Sequence, residues 1–159
     1  MYAGCPILWS SKMLSKVTLS TTESEYCEIS NALHSTIPLM SLVNEIRERY
    51  DASLVGVPVV KCEVFEDNSG AVKLSMVHKM RPRTKHINVK YHHFCEHVRK
   101  KLIRISHVSS EENCADSCTK LLGKDLFEKH RLTIQGWRSS TDLFTQSPMR
   151  ECEYIEVCV

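Results

Sequence analysis

The sequence contains no uninterrupted apolar run near the ~20 residues that a membrane-spanning helix requires. Its N-terminus, MYAGCPILWSSK, has no basic segment followed by an apolar one, so a secretory signal is not expected. At 159 residues, with 42% hydrophobic and 25% charged residues, the chain suits one globular domain and is short for two. We therefore expect a protein of the cytoplasm or nucleus that is not secreted and has no membrane partner.

The eight cysteines include no C-x-x-C pair, the spacing typical of structural zinc sites and of redox motifs. Cys114 and Cys118 lie four positions apart, with His107 and His130 nearby, which leaves a zinc-stabilised interaction domain as a minor alternative. Reduced thiols are the simpler interpretation for a protein that is not secreted.

Three acidic residues occur in motifs that each mark a change of backbone structure. Glu25, in LSTTESEY, lies in the first turns of a predicted helix. Asp67, in CEVFEDNSGAVKL, ends a predicted strand, and Asp116, in EENCADSCTKLL, lies inside a late helix. Carboxylates gathered from distant elements can hold two divalent cations, which sit roughly 3.5–4 Å apart in two-metal phosphoryl-transfer sites. We predict that these three residues are both the catalytic residues and the ligands of magnesium or manganese.

Each of these carboxylates also has a purely structural alternative. The segment STTE predicts a helix start in two registers. With Ser20 as the N-cap, Glu25 is free for chemistry, whereas with Thr22 as the N-cap it becomes the capping residue. Asp67 is a suitable N-cap for the helix that follows it. Asp116 could be an exposed helical acid.

Positive charge is concentrated between Lys73 and Arg104, where ten basic residues face one acid, Glu96. Such a run is often only a solvated surface. Beside a cluster of carboxylates, however, a polyanionic substrate explains it better. The residues predicted to contact nucleic acid are Lys73, Arg81, Arg83, Lys85, His86 and Lys90.

Hydrophobic periodicity and turn signals predict an alternation of strands and helices. The predicted strands cover residues 6–9, 59–66 and 102–108. The predicted helices cover residues 20–49, 67–76, 86–101, 109–123 and 125–133. Ser109 or Ser110 is the expected cap of the helix that carries Asp116, and Gly123 its expected end. Pro38 should kink or break the first helix, because an interior proline removes a backbone hydrogen bond.

In order, the chain reads PILWSSK, LSTTESEY, EDNSGAVKL, RPRTKHINVKYHHF and HVSSEENCADSCTKLLG. This ordered set resembles the ribonuclease H domain at the carboxyl end of copia-type LTR retrotransposon Pol polyproteins, over about residues 4–137. The resemblance implies an α/β fold, with a mixed sheet of strand order 3-2-1-4-5 flanked by helices. It also implies two-metal hydrolysis of RNA in RNA–DNA hybrids, with Glu25, Asp67 and Asp116 as carried-over carboxylates and an upstream reverse transcriptase segment as partner.

The resemblance further implies a first strand with a first catalytic aspartate upstream of PILWSSK, whereas no acidic residue here precedes Glu23. Strands 6–9 and 59–66 would be the third and fourth, and both would expose unpaired edges without their shared neighbour. We therefore expect a partial ribonuclease H-like domain over 1–137 that lacks the first one or two strands, and a poorly ordered tail over 138–159. A catalytically inactive truncated remnant, or a module that only binds nucleic acid, is the alternative to a nuclease.

Overall fold

The computed structural model describes residues 7–11, 17–50, 59–77, 89–135 and 154–159. The strands within these residues are β1 (Lys61–Glu66), β2 (Ile103–His107) and β3 (Tyr154–Cys158). The helices are α1 (Thr21–Tyr50), α2 (Ser69–Met76), a 3₁₀ helix (Val89–His92), α3 (Cys95–Arg99), α4 (Asp116–Thr119) and α5 (Lys124–Ile134). None of these helices is both long enough and apolar enough to cross a bilayer.

The strands form one sheet in the order β2-β1-β3, with β1 in the centre. Both pairings are parallel, and Val64 faces Ile105 on one side and Val157 on the other. The expected α/β class is confirmed. The mixed sheet that the resemblance implied is not seen among the described strands, since all three run in the same direction.

Strand β3 corrects two expectations. The edge of β1 away from β2 was expected to be unpaired, but β3 pairs with it along its length. The segment 138–159 was expected to be a poorly ordered tail, yet Tyr154–Cys158 is a strand whose Ile155 is buried in the core. The remaining residues of the expected tail, 138–153, lie outside the described ones. Residues 154–158 form a strand because an open strand edge can pair with a β-prone segment, and YIEVCV is such a segment.

The predicted strand at 6–9 is wrong for its described part. Ile7, Leu8 and Trp9 are not in a strand, and Trp9 is 80% exposed. A short apolar run becomes a strand only when a neighbouring strand shares its backbone hydrogen bonds, and none of the described strands pairs with these residues. Pro6 lies outside the described residues.

The start of α1 distinguishes between the two predicted registers. The Ser20 hydroxyl accepts the backbone N–H of Glu23 at 3.2 Å, and a Glu23 carboxylate oxygen accepts the N–H of Leu19 at 3.0 Å. These bonds form a variant of the capping box in which Ser20 is the cap and Glu23 accepts from the residue before it. Glu25 is therefore not used as the helix cap.

Helix α1 continues across Pro38, so the predicted break is wrong. Pro38 is exposed, whereas Leu33 and Met40 on either side are buried in the core. An interior proline costs about 3 kcal/mol in a helix. Burial of large side chains on both sides of it can offset that cost, because each contributes roughly 1.5–3 kcal/mol.

The predicted helix over 86–101 forms only in parts, as the 3₁₀ helix and α3, with a turn at residues 93–94 between them. The turn places Phe94, which is fully buried, 5.6 Å from the ring of Tyr26 in α1. The Tyr26 hydroxyl also contacts His92 Nδ1 at 2.6 Å. A 3₁₀ helix, a turn and α3 replace the predicted single helix because packing against α1 outweighs the local helical preference. Residues 86–88 lie outside the described part of the chain.

The main core cluster joins these helices to the sheet. Its fully buried members include Tyr26, Ile29 and Leu33 from α1, and Cys62 and Val64 from β1. Burial alternates along β1, which is the two-residue period expected of a strand with one face in the core. The first half of α1 is thereby fixed against the strand that ends at the site described below.

Gly70 allows α2 to approach the first turn of α1. A Cβ atom at this position would lie 2.8 Å from Thr22 Oγ1 and 3.0 Å from Asn68 Oδ1. We predict that Gly70→Ala lowers the free energy of unfolding by about 1–3 kcal/mol, because the two helices must separate. Urea unfolding measures the change. Gly123→Ala is the matched control, since nothing lies within 4 Å of a Cβ there; equal losses in both variants would contradict the close approach.

Candidate active site at the carboxyl end of the central strand

Asp67 follows directly after β1 and is held in place by the last residue of β2 and by the segment after it. The Ser110 hydroxyl donates to Asp67 Oδ2 at 2.9 Å, and His107 Nε2 lies 3.0 Å from the Asp67 backbone oxygen. The cap of α2 is Asn68, whose side-chain oxygen accepts two backbone N–H groups of the first turn. The alternative in which Asp67 caps this helix is therefore wrong, and its carboxylate is available for other contacts.

Asp116 is the first residue of α4, and its side chain is only 8% exposed. The alternative of an exposed helical acid is therefore wrong. The helix itself is shorter than predicted, because it has no serine cap and ends before Gly123, which instead precedes α5. Ser109 closes a turn through its carbonyl oxygen, which accepts backbone N–H groups of Glu112 and Asn113.

A single ammonium group joins these two carboxylates. Lys120 Nζ lies 2.8 Å from Asp116 Oδ2 and 3.5 Å from Asp67 Oδ2. The hydrogen bond to Asp116 is the main cause that raises the pKa of Lys120 above its ordinary value. Two acids that are far apart in the sequence thus share one cation position at the end of β1.

Glu25 lies half-buried on α1 in the same electrostatic neighbourhood. Burial is the largest cause that raises its pKa, and the negative charges of Asp67 and Asp116 raise it further, while Lys120 opposes the shift. The structure thus brings the three predicted carboxylates to one region. Within the residues described, no group of three or more His, Cys, Asp or Glu side chains is arranged to hold a metal ion.

Glu66 is a fourth acid of this region that sequence reasoning missed. It is fully buried, and its Oε1 accepts the backbone N–H of Asn68 at 2.9 Å, whereas Oε2 has no hydrogen-bond partner among the described atoms. Burial, aided by the charges of Glu25, Asp67 and Asp116, raises the pKa of Glu66 to about 7. The signal that reveals it is the two-residue period of β1, which places Glu66 on the buried face.

Glu66 should make the metal-free protein lose stability as pH rises. Its pKa in the folded state is raised, so burial opposes its ionisation. The folded state is therefore favoured below the ordinary carboxyl pKa, and stability falls as pH increases towards and through about 7. In the presence of a chelator, we expect the free energy of unfolding to fall by roughly 1–3 kcal/mol between pH 5 and pH 8. Urea titrations at several pH values measure this change.

The variant Glu66→Gln should show a much smaller fall, with a remainder from Glu25, whose pKa is also raised. The exposed residue Glu111 provides the matched control, since Glu111→Gln should keep the full dependence. Identical pH profiles for the two variants would contradict the burial of an ionisable Glu66.

Most of the predicted nucleic-acid contacts lie where the structure gives no description. Lys73 is exposed on α2, as a surface contact requires. The side chain of Lys100 in the same basic segment pairs with Glu96 at 2.8 Å, so part of the positive charge is neutralised locally. The nucleic-acid interface stays a prediction, because the following lie outside the described atoms: Arg81, Arg83, Lys85, His86 and the side chain of Lys90.

The cysteines in the described segments are free thiols, as expected. Cys114 lies beside Cys158 and His130, and hydrogen bonding to Cys158 is the main cause that lowers its pKa. Cys118 is exposed. Over the part of the chain described, no His and Cys group suited to zinc is found, so the zinc alternative gains no support.

Comparison with known proteins finds curated relatives, although no protein-family profile and no solved structure matches. The Pol polyprotein of transposon RE1 from Arabidopsis thaliana is 35% identical over 123 residues, which is 77% of this chain and 8% of the relative. That of transposon TNT 1-94 from Nicotiana tabacum is 32% identical over 127 residues, or 80% and 9%. That of transposon RE2 from Arabidopsis thaliana is 34% identical over 123 residues, or 77% and 8%.

The chain therefore spans less than a tenth of the length of the relatives that it matches. All three carry the name of retrovirus-related Pol polyproteins of transposons. Similarity at this level over most of the chain establishes common descent with one segment of those polyproteins. The chain is thus a homologue of the retrovirus-related Pol polyproteins of transposons, aligned with them over about four fifths of its length.

Proposed function

We propose that this chain is a ribonuclease H-like domain of a copia-type Pol polyprotein, which in the complete polyprotein cuts the RNA strand of RNA–DNA hybrids with two divalent cations. The observation that carries the proposal is the meeting of Asp67 and Asp116 at one cation position, with Glu25 in the same region, at the carboxyl end of a parallel strand. This edge of an α/β sheet is where such folds place their ligands.

The residues fit magnesium or manganese in their donor chemistry. Both ions prefer hard oxygen ligands, and Asp67, Asp116 and Glu25 supply carboxylate oxygens. Two of these residues already share the position of a cation, and the buried Glu66 offers an oxygen without a hydrogen-bond partner in the described residues. When bound, two divalent ions activate a water molecule and stabilise the leaving oxygen of the phosphodiester.

The surrounding residues keep these carboxylates available and oriented. Asn68 takes the cap of α2, and Ser20 takes the cap of α1, so neither Asp67 nor Glu25 is used in capping. Ser110 donates to the Asp67 carboxylate and fixes its direction. Ligand oxygens that are held in place before a metal ion arrives need little reorganisation to bind it.

Substrate binding is assigned to the basic segment between residues 73 and 104. A hybrid presents a dense row of phosphates, and lysine and arginine side chains bind it with release of counterions. In the polyprotein, the upstream reverse transcriptase segment is the natural partner, since it would produce the hybrid. Such a protein would act in the cytoplasm or nucleus.

A second candidate function is nucleic-acid binding without cleavage. Two observations favour it: the carboxylates do not form a three-ligand metal group in the described residues, and Lys120 lies where they meet. The two candidates share the basic segment and differ only in the chemistry at the end of β1. Binding and cleavage are therefore tested separately.

Binding should depend steeply on salt if the basic segment contacts phosphates. We predict that replacing Arg81, Arg83 and Lys85 together with Ala reduces the slope of log K against log salt for an RNA–DNA hybrid by about 2–3, because each lost phosphate contact removes about 0.9. Fluorescence anisotropy over a salt series measures the slope. The control replaces three cations of α5, Lys124, Lys129 and Arg131, with Ala. An unchanged slope in the first variant would show that the segment is only a solvated surface.

Cleavage separates the two candidate functions. We predict negligible cutting of a hybrid by the 159-residue chain with magnesium or manganese, because a two-metal site needs more bridging carboxylates than these residues supply. A longer polyprotein segment, with the family's first strand and its aspartate, should restore cutting. Gel electrophoresis of a labelled hybrid measures the product.

In that longer segment, Asp67→Asn should abolish the restored cutting, whereas Asp125→Asn, at an exposed position of α5, should retain it. Robust cutting by the 159-residue chain, lost on Asp67→Asn, would show that the additional carboxylate is dispensable. Absence of cutting in every segment would favour the binding module.

A further inference from the structure

We propose that Lys120 is a built-in counter-ion that holds the position of a divalent cation between Asp67 and Asp116 and leaves it when the metal binds. This inference rests on the proposed function, since it assumes that these two aspartates are metal ligands. It gives a role to a lysine that the sequence patterns did not single out.

The geometry of the two contacts supports this role. The Lys120 ammonium approaches one oxygen of each carboxylate, Oδ2 of Asp116 at 2.8 Å and Oδ2 of Asp67 at 3.5 Å. The side chains of Asp116 and Asp67 are 8% and 19% exposed, whereas that of Lys120 is 51% exposed. Carboxylates buried to this degree need an opposite charge, and the ammonium supplies it from the solvent side.

The position of Lys120 is determined by the same short helix that positions Asp116. Lys120 is the C-cap of α4, and its backbone N–H donates to the Asp116 carbonyl oxygen at 2.8 Å. Residues four positions apart on a helix face each other. The segment DSCTK therefore encodes both a buried acid and the cation that neutralises it.

The lysine is suited to be displaced. Its ammonium is a single charge on a flexible stem, and half of its side chain is exposed, so it can move without disturbing the fold. A divalent ion carries twice the charge and binds several oxygens at once. Glu66 Oε2, which is buried and has no hydrogen-bond partner among the described atoms, is a further carboxylate oxygen at the end of β1.

This arrangement also explains why the described carboxylates do not form a three-ligand metal group. A monovalent ammonium group with its own methylene stem keeps acidic side chains farther apart than a bare metal ion does. With Lys120 in place the acids are neutralised without being drawn together. The site is then stable before any metal arrives, and metal binding must displace the lysine.

Calorimetric titration of the full chain with Mn²⁺ tests the proposal. We expect Lys120→Met to bind Mn²⁺ roughly 3–10-fold more tightly than the unaltered chain, because a half-exposed competing charge is removed. Lys120→Arg keeps the charge and should keep the original affinity. Lys124→Met, at an exposed position outside the site, is the charge-matched control and should also leave the affinity unchanged.

A second measurement is thermal unfolding. In a chelator, Lys120→Met should unfold at a lower temperature than Lys124→Met, because Asp67 and Asp116 have lost their counter-ion. Saturating Mn²⁺ should reverse that order. If circular dichroism shows that Lys120→Met does not fold, Lys120→Gln, which is also uncharged, is titrated and carries the same expectations.

The outcomes are distinct. Mn²⁺ binding by the unaltered chain with equal or greater affinity than the uncharged variants would overturn the role of Lys120 and leave the proposed metal site standing. Binding that appears only after Lys120 is neutralised supports the role most directly. No binding by any variant would overturn both the role of Lys120 and the metal-dependent function.

Discussion

Electrostatic repulsion at the end of β1 is the constraint on which the site depends. Glu66 is buried there, Asp67 follows it, and Glu25 and Asp116 lie in the same neighbourhood. Like charges in a partly dry region repel one another and oppose folding unless a cation neutralises them. In the described structure that cation is the Lys120 ammonium, which contacts Asp116 and Asp67, while burial is the main cause that raises the pKa of Glu66. Several carboxylates that share one monovalent counter-ion have the donor chemistry that divalent ions prefer.

The fold supplies these acids from three directions. β1 is the central strand, so Asp67 lies in the middle of the sheet edge where the carboxyl ends of the parallel strands meet. α1 brings Glu25 alongside through the close approach at Gly70, where a methyl group would collide with Thr22. The segment after β2 contacts Asp67 through Ser110 and then leads into α4, which carries Asp116. Repulsion between these carboxylates opposes folding, and the hydrophobic packing of the core beneath the site offsets it.

Sequence reasoning was most successful where the signal is local. The capping box at Ser20 and the alternation in β1 each involve residues within a few positions, so α1, β1, α2, β2 and α5 were predicted with boundaries close to those found. The failures were long-range. Whether 6–9 or 154–158 becomes a strand depends on a partner strand that is distant in the sequence, and Phe94 ends a helix because of a contact with α1. Glu66 escaped notice because its neighbour Asp67 matched a motif, although the period of β1 marks both Glu66 and the core residues beside it.

A strand beside β1 can have two roles: it can pair with the backbone of β1, and it can supply a carboxylate to the site. β3 has only the first of these roles. The resemblance places its first strand next to the fourth, and here that side of β1 is taken by β3, which supplies the backbone partners. It supplies no acid at the site, however, because Glu156 is in register with Glu63, three residues before the end of β1. At about 3.3 Å per residue, Glu156 is displaced by about 10 Å along the strand from the carboxyl end where Asp67 lies. A segment with suitable β-propensity can therefore complete the sheet, whereas the proposed metal site would need a carboxylate at one particular level of the strand. The fold thus requires only β-propensity of the strand beside β1, whereas the proposed chemistry also requires an acid at its carboxyl end.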